Sequence, residues 1–370
     1  MNVWVKIAVL CTRGFPNVPG GIEAHCANLY PCLVEKGCDV TVFTRKGYVD
    51  ANLNSYKGVK LVALDCMKNK FLEAFLHTFF GVFAANKISP DILHIHGIGP
   101  SLIVPLARIL GLKVVMTNHG PDYKRKKWGT FAKLILAFGE YLGSRYTDGV
   151  ISISEDIAAR VRKKCKREPF VIPNGVTTRQ PLQDEDLLAK YGLTKGRYIL
   201  SVGRFVPEKG FHDLIEAFNN IKAWRLVIAG DSNHPDRYSL DLKKKAAGNK
   251  DIVLTGFLNG RALQELYSHA GLFVLPSYYE GMPIVLLEAM SYGVSCIATK
   301  ISANRGLGLD ESRFFRPGDI QALANKIRVF MARPLTEEEK NSQIDNVAEN
   351  YNWGHIADRT LKVYRQVEKG

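Results

Sequence analysis

Along the first half of the chain, short runs that are apolar at nearly every position alternate with longer segments of helical spacing. The short runs are Trp4–Leu10, Val40–Thr44, Val59–Leu64, Ile92–Ile95, Val114–Thr117, Gly149–Ile153 and Phe170–Ile172. The helical segments are Ile22–Lys36, Phe71–Lys87, Ser101–Leu110, Phe131–Tyr146 and Glu155–Lys164. Strands that are apolar on both faces must be covered on both faces, so the alternation predicts a parallel sheet between two layers of helices. After the polar stretch Asn174–Gln183 the pattern restarts. Tyr198–Val202, Arg225–Ala229, Ile252–Thr255, Leu272–Leu275 and Ser295–Ala298 read as strands. Gly210–Asn220, Leu240–Ala247, Arg261–His269, Pro283–Tyr292 and Ile320–Met331 read as the helices between them. The end, Asn352–Glu368, predicts one helix with Trp353, Ile356, Leu361, Tyr364 and Val367 apolar. The expected architecture is α/β: two doubly wound domains, 1–177 and 178–350, facing each other across a cleft. Residues 351–370 are expected to pack back on the first domain. In such sheets ligands sit beyond the carboxyl ends of the strands, so the loops after the strands are where chemistry is sought.

Composition narrows the class. The chain has 370 residues, 46% apolar and 23% charged, which suits two globular domains and excludes disorder or coiled coil throughout. The seven cysteines (Cys11, Cys26, Cys32, Cys38, Cys66, Cys165 and Cys296) are odd in number and form no C-x-x-C, so a reduced cytosolic protein without a structural zinc site is expected. Val3–Cys11 is too short to span a bilayer and precedes no small-residue cleavage site, so it reads as a strand and not a signal peptide. Phe71–Ala85, the longest apolar stretch, contains Glu73 and His77 and falls short of the roughly 20 residues a spanning helix needs. Charge is the unusual feature. The net value is +14; residues 1–177 carry 24 basic against 13 acidic side chains, so +11 of the excess lies in the first half. Such a field calls for an anionic partner: a nucleic acid, a phosphorylated substrate or an anionic membrane surface.

Several post-strand loops carry candidate chemistry. Gly20-Gly21 precedes the first helix, where absent side chains let a ligand approach the backbone amides. No G-x-G-x-x-G follows any strand, which argues against a dehydrogenase. Gly203-Arg204 and Lys209-Gly210 flank the turn after the first strand of the second domain; two cations beside a helix N-terminus suit a diphosphate, or else are solvated surface charges. Glu280 ends a later loop, Pro283 suits a first helical position, and Glu288 lies five residues on, roughly 7.5 Å along the axis. Two carboxylates framing a helix start can hold hydroxyls at two ends of one ligand while the amides between take a phosphate. The plainer readings are a cap for Glu280 and a buried, hydrogen-bonded carboxylate for Glu288. His119, in the loop after Val114–Thr117, is a candidate for positioning or polarising a ligand. Of the pair on Ile92–Ile95, His94 is expected in the core and His96 in the cleft, and no third ligand at suitable spacing makes them a metal site.

Glu280 and Glu288 form the E-x7-E spacing of retaining glycosyltransferases with the GT-B fold of two facing Rossmann-like domains, and the surrounding residues resemble glycosyltransferase family 4. Gly20-Gly21, Ile172-Pro173-Asn174-Gly175-Val176, Gly203-Arg204 with Lys209-Gly210, and Thr255-Gly256-Phe257 fall where that family has its other landmarks. The resemblance covers nearly the whole chain. It implies an acceptor side in the first domain and a nucleotide-sugar donor side in the second. Arg204 and Lys209 would bind the diphosphate and stabilise the leaving nucleotide. Glu288 would hold the ribose hydroxyls. Glu280, with the amides of Gly281, Met282 and Ile284, would grip the transferred sugar and the phosphates. Gly21 would let its loop approach the diphosphate, Phe257 and Leu258 would border the base, and His119 would reach the donor sugar. No metal-bridged diphosphate and no separate cofactor are expected; the donor, a UDP- or GDP-sugar, is a substrate.

Two routes to retention compete. A covalent one needs a carboxylate at the anomeric carbon, for which Glu23 and Asp122 are the candidates, although each equally caps a helix or binds acceptor. The family favours same-face attack. The remaining basic residues suggest where an acceptor lies. Lys124–Trp128, the cluster Arg160, Arg162, Lys163, Lys164, Lys166 and Arg167, and the basic and aromatic stretch Met67–Phe83 together point to an anionic membrane surface, each nearby cation contributing about 1 kcal/mol. The expected acceptor is a glycan or a polyprenyl-diphosphate-linked sugar of bacterial surface-polysaccharide assembly. The rivals are a nucleotide-sugar epimerase or a glycan phosphorylase on the same fold, and a nucleic-acid-binding protein; the last lacks any recognition motif.

Overall fold

The computed structural model describes residues 4–10, 12–65, 73–124, 128–219, 221–232 and 235–370. The chain divides into two compact units, Met1–Gly175 with Trp353–Gly370, and Val176–Asn352. In the first, the strands are β1 (Lys6–Leu10), β2 (Asp39–Arg45), β3 (Ser55–Tyr56), β4 (Val59–Leu64), β5 (Ile92–His96), β6 (Val114–Asn118), β7 (Gly149–Ser152) and β8 (Phe170–Val171). They form one sheet in the order β3-β4-β2-β1-β5-β6-β7-β8. All neighbours are parallel except the short pair β3 and β4. The second unit holds β9 (Tyr198–Val202), β10 (Arg225–Ala229), β11 (Ile252–Gly256), β12 (Leu272–Leu275), β13 (Cys296–Thr299) and β14 (Phe314–Phe315). Their order is β11-β10-β9-β12-β13-β14, parallel throughout. Both sheets are the doubly wound kind that the all-apolar runs require: every residue of β5, β6, β9 and β12 is buried.

Each sheet reverses direction once. The order turns between β1 and β5 in the first unit and between β9 and β12 in the second. At such a reversal the two following loops diverge to opposite faces and leave a crevice, so the loops after β1 and β5, and after β9 and β12, are where ligands settle.

The last helix, Trp353–Lys369, belongs to the first unit and lies against the helix Gly21–Glu35. Its Trp353, Ile356, Leu361, Tyr364 and Val367 share one core with Cys26, Leu29, Tyr30 and Leu33. Trp353 fills the space over Gly175, where an added Cβ would meet the indole ring at 2.5 Å. Burying each large apolar side chain contributes roughly 1.5–3 kcal/mol, so this helix is held by packing and not by its own propensity. The helix Glu337–Asn350 was not legible in the apolar pattern. Of its 14 residues only Val347 is buried, and a capping box between Thr336 and Glu339 starts it.

Candidate active site

In the second unit the β9 loop and the β12 loop are tied together. Gly210 adopts a φ of +66°, and a Cβ there would meet the Pro276 carbonyl at 2.1 Å, so only glycine lets the two loops pass this closely. The Tyr278 amide donates to the Glu208 carbonyl at 2.8 Å. This brings Lys209 Nζ to 2.6 Å from Glu280 Oε1, the same oxygen that accepts the Ser277 hydroxyl at 2.6 Å. Arg204 lies half-buried in the same β9 loop, after Gly203. Lys209 and Glu280, assigned by resemblance to two parts of one ligand, are therefore ion-paired with each other. A ligand at this site must share or divide that pair.

Gly281, Met282 and Pro283 lead into the helix Ile284–Ser291; Pro283 is the residue before the helix and not its first member. Its first-turn amides, at Ile284 and after, point along the loop end and make an anion site in the usual way. Glu288 follows one turn later. Tyr267 Oη donates to Glu288 Oε2 at 3.0 Å. Dense packing around the carboxyl raises its pKa to about 7, against the Tyr267 bond and the nearby Arg179 charge, both of which lower it. Tyr267 is itself buried and stacks on Tyr292 with ring centroids 5.6 Å apart. Phe257, 47% exposed, and half-buried Leu258 follow β11. Tyr267 and Ser277 fix both carboxylates. Sequence reasoning missed them because a lone Tyr or Ser carries no spacing signal.

In the first unit the Gly20-Gly21 loop is held by an ion pair. Arg13 Nε lies 2.8 Å from Glu23 Oε1, and Arg13 also donates to the Pro19 carbonyl. A Cβ on Gly20 would meet Glu23 Oε2 at 1.9 Å, whereas one on Gly21 would meet nothing within 4 Å. Glu23, a candidate acceptor-side carboxylate, is 7% exposed and ion-paired with Arg13. Asp122 opens the short turn Asp122–Lys124, after a bend in which Asn118 Oδ1 accepts the Gly120 amide at 2.9 Å.

Sequence reasoning places His96 in the cleft and His94 in the core. The β5 strand is central, and His96 is fully buried, like His94, instead of lining an open loop. His96 Nε2 and Tyr30 Oη lie 2.5 Å apart, and His96 Nδ1 shares a hydrogen bond with His119 Nε2 at 3.0 Å. Only His119 of this pair keeps partial exposure. His25, from the first helix, completes the group. Its ring centroid is 5.0 Å from that of His119 and 5.5 Å from that of His96, and its Nδ1 is 2.9 Å from Asn174 Oδ1. Burial, opposed by the Asn174 bond, lowers the His25 pKa to about 4; burial and neighbouring imidazoles push His96 and His119 well below their ordinary value. His94 and His96 do not pair as ligands; His96 instead groups with two imidazoles that chain spacing did not bring to it, His25 from the first helix and His119 from the β6 loop. The chain also holds one Asp-x-Asp string, Asp184-Glu185-Asp186, but it leads into the helix Asp186–Tyr191, and Asp184 pairs with Arg261.

The basic surface is less free than the sequence suggests. Arg162 pairs with Glu155 and Glu168, Lys164 with Tyr123 and Glu140, and Arg167 donates to the Thr147 and Asp148 carbonyls. Of the two basic stretches, 66–72 and 125–127 lie outside the described residues. Exposed apolar side chains concentrate instead on the helix Thr130–Tyr146, at Phe131, Leu134, Ile135, Phe138 and Tyr141. No described helix is long and apolar enough to cross a membrane.

Residues 19–180 match the family model "Glycosyltransferase Family 4", and residues 183–350 match "Glycosyl transferases group 1". The chain is 27% identical to an uncharacterized glycosyltransferase of Methanocaldococcus jannaschii, covering 98% of each protein. It is 27% identical to the UDP-Gal:alpha-D-GlcNAc-diphosphoundecaprenol alpha-1,3-galactosyltransferase of Escherichia coli, over 74% of this chain and 75% of that one. Sucrose-phosphate synthase from Thermosynechococcus elongatus has the same fold, with a TM-score of 0.85 at 23% identity over 98% of each chain. With two sheets reversing at loops that carry the motifs, and two family models spanning those motifs in order, the chain belongs to the family-4-like glycosyltransferases of the GT-B fold.

Proposed function

We propose that the enzyme is a retaining hexosyltransferase that takes its sugar from a nucleoside diphosphate, UDP or GDP, and delivers it to a lipid-diphosphate-linked or glycan acceptor in surface-polysaccharide assembly. One observation carries the donor reading: Lys209, Glu280 and a helix N-terminus meet where the second sheet reverses. Breaking the sugar–phosphate bond puts negative charge on the departing diphosphate, and preorganised cations and amides stabilise that charge. Arg204 and Lys209 supply the cations, and Gly281, Met282 and Ile284 the amides. Glu280, released from Lys209, accepts from sugar hydroxyls; Glu288, held by Tyr267, accepts from the ribose. His119 positions the transferred sugar. The acceptor oxygen attacks the anomeric carbon on the face the phosphate leaves, the C–O(phosphate) bond breaks, and the acceptor proton passes to the departing phosphate oxygen. The commitment of Glu23 to Arg13 supports this route over a covalent one. No metal is asked to bridge the diphosphate. The galactosyltransferase relative, whose name gives a UDP donor and a diphosphoundecaprenol acceptor, supports the substrate classes.

A membrane acceptor fits the helix Thr130–Tyr146. Its small face is turned inward: a Cβ on Gly139 would meet the Ile98 carbonyl at 2.3 Å, and one on Gly143 would meet Ser101 Cβ at 2.4 Å. Its large apolar side chains face solvent, with Arg145 continuing the row of Phe131 and Phe138 at seven-residue spacing and Lys133 beside it. An apolar face flanked by cations suits the headgroup boundary of an anionic bilayer. The test of the function is product analysis with a panel of UDP- and GDP-sugars and a polyprenyl-diphosphate-linked acceptor. An α-configured donor gives an α-linked product; a β-linked product, or epimerised donor without transfer, rejects the reading.

A further inference from the structure

His25, His96 and His119 come from three different elements, yet their ligand nitrogens all lie within 4.8 Å of one another. Their outer contacts select which nitrogen of each ring faces inward. Asn174 Oδ1 can only accept, so His25 Nδ1 donates to it and Nε2 carries the lone pair. That Nε2 is buried and meets no hydrogen-bond partner. On His96, Tyr30 Oη engages Nε2 and leaves Nδ1 turned toward His119. His119 Nε2 is the third inward atom. A histidine bound to a metal typically gives its second ring nitrogen to a carbonyl or hydroxyl that fixes its tautomer, and Asn174 and Tyr30 stand in those positions.

We propose that these three imidazoles form a binding site for a borderline-soft divalent ion of the Zn²⁺ class, separate from the donor loops. Three neutral nitrogens without a carboxylate suit Zn²⁺ or Co²⁺ and not Mg²⁺, Mn²⁺ or Ca²⁺, which take oxygen ligands. At Zn–N distances of about 2.0–2.1 Å, tetrahedral geometry sets the nitrogens roughly 3.4 Å apart. The His96–His119 pair at 3.0 Å opens slightly to admit the ion, and His25 closes on it. The partial exposure of His119 marks the side on which a fourth ligand, water, would stand. Binding needs no proton release: His96 carries its proton on Nε2, which donates to Tyr30 Oη, and the proton that His119 Nε2 donates to His96 Nδ1 moves to His119 Nδ1, so that three lone pairs point at the ion. The ion would then tie down His119, so the site is inhibitory. That consequence rests on the role proposed above for His119, whereas the site itself rests only on the first unit.

The test is titration of the full-length chain with Zn²⁺ and, for its visible spectrum, with Co²⁺, in the absence of donor. One equivalent is bound with a tetrahedral Co²⁺ spectrum, and Mg²⁺ does not compete. His25→Phe removes the site while retaining an aromatic ring. Tyr30→Phe, which deletes only the hydroxyl orienting His96, weakens binding about 10–100-fold. Circular dichroism of both variants reports whether the fold is kept. Absence of stoichiometric binding by wild type overturns the site, as does unchanged affinity in a folded His25→Phe or Tyr30→Phe. Zn²⁺ inhibition of transfer is read separately. If Zn²⁺ binds but leaves transfer untouched, the site stands and the role of His119 falls.

Discussion

Replacing Lys209 by Met separates two roles that one lysine holds. Lys209 Nζ and Glu280 Oε1 are 2.6 Å apart, with side-chain exposures of 17% and 10%. At an effective dielectric of ~20 the gross attraction is about 6 kcal/mol. Most of it is offset by desolvation, and a charge-assisted bond nets about 1.5–3 kcal/mol. Because Glu280 keeps the Ser277 hydroxyl and neither group is fully buried, the stability cost is set at about 2 kcal/mol. For a unit of this size that is a fall of about 4–8 °C in the melting of residues 176–352. The catalytic cost is different in kind. If Lys209 stabilises the departing diphosphate, its loss lowers kcat about 10²–10³-fold, as for other preorganised donors of this class. The assay is transfer kinetics for wild type, Lys209→Met, Glu280→Gln and the double variant, with melting followed in parallel. The double variant regains stability, since no unpaired carboxylate remains, but transfer stays low. Transfer in Lys209→Met within about 3-fold of wild type refutes the leaving-group role. Recovery of transfer in the double variant would show that Lys209 serves only to neutralise Glu280.

Glu288 supplies a pH signature. Its pKa in the fold, about 7, lies above the unfolded value of 4.5, so the wild type loses stability as pH rises from about 4.5 through about 7. Glu288→Gln removes that slope and is more stable at pH 8 by at most about 3 kcal/mol, read from urea titrations at both pH values. In the same variant the decline of UDP affinity below about pH 7 disappears, because the carboxylate that accepts from the ribose is gone; calorimetry at pH 6 and 8 checks this. Gly21→Ala folds with wild-type stability, since Ala suits a helix start and finds open space, but raises the donor KM; Gly20→Ala strikes Glu23 and costs about 1–3 kcal/mol in thermal unfolding. Replacing Phe131, Leu134 and Phe138 by Ser leaves melting within about 1 kcal/mol but abolishes salt-sensitive co-sedimentation with anionic vesicles; binding retained by that variant removes the helix from the docking surface.

Much of the architecture is written locally. All-apolar runs such as Leu272–Leu275 mark central parallel strands, and the restart after residue 183 marks a second sheet. The short strands Ser55–Tyr56 and Phe314–Phe315 carry too little pattern to be seen, and the helix Glu337–Asn350 is nearly all polar. The candidate site divides in the same way. Glu280 and Glu288 announce themselves by spacing along one loop and helix. The histidine group does not, because His25, His96 and His119 are brought together by sheet order and not by proximity in the chain. The same cause turned His96 inward: a residue at the end of a strand faces a ligand or a neighbour according to which strands flank it, and that is a property of the sheet. The helix Thr130–Tyr146 was legible as a helix but its orientation was not: the two glycines take the core side and leave the large side chains outside.

The central claim is that the β9 and β12 loops hold a nucleoside diphosphate whose departure they assist. It is tested most directly by calorimetric titration of UDP and GDP into wild type, Arg204→Ala and Lys209→Met, paired with release of that nucleotide during transfer from its sugar conjugate. One nucleotide binds the wild type at one equivalent, each variant weakens it, and release falls at least about 100-fold in both. Binding and release unchanged in both variants, or no binding of either nucleotide by the wild type, would contradict it.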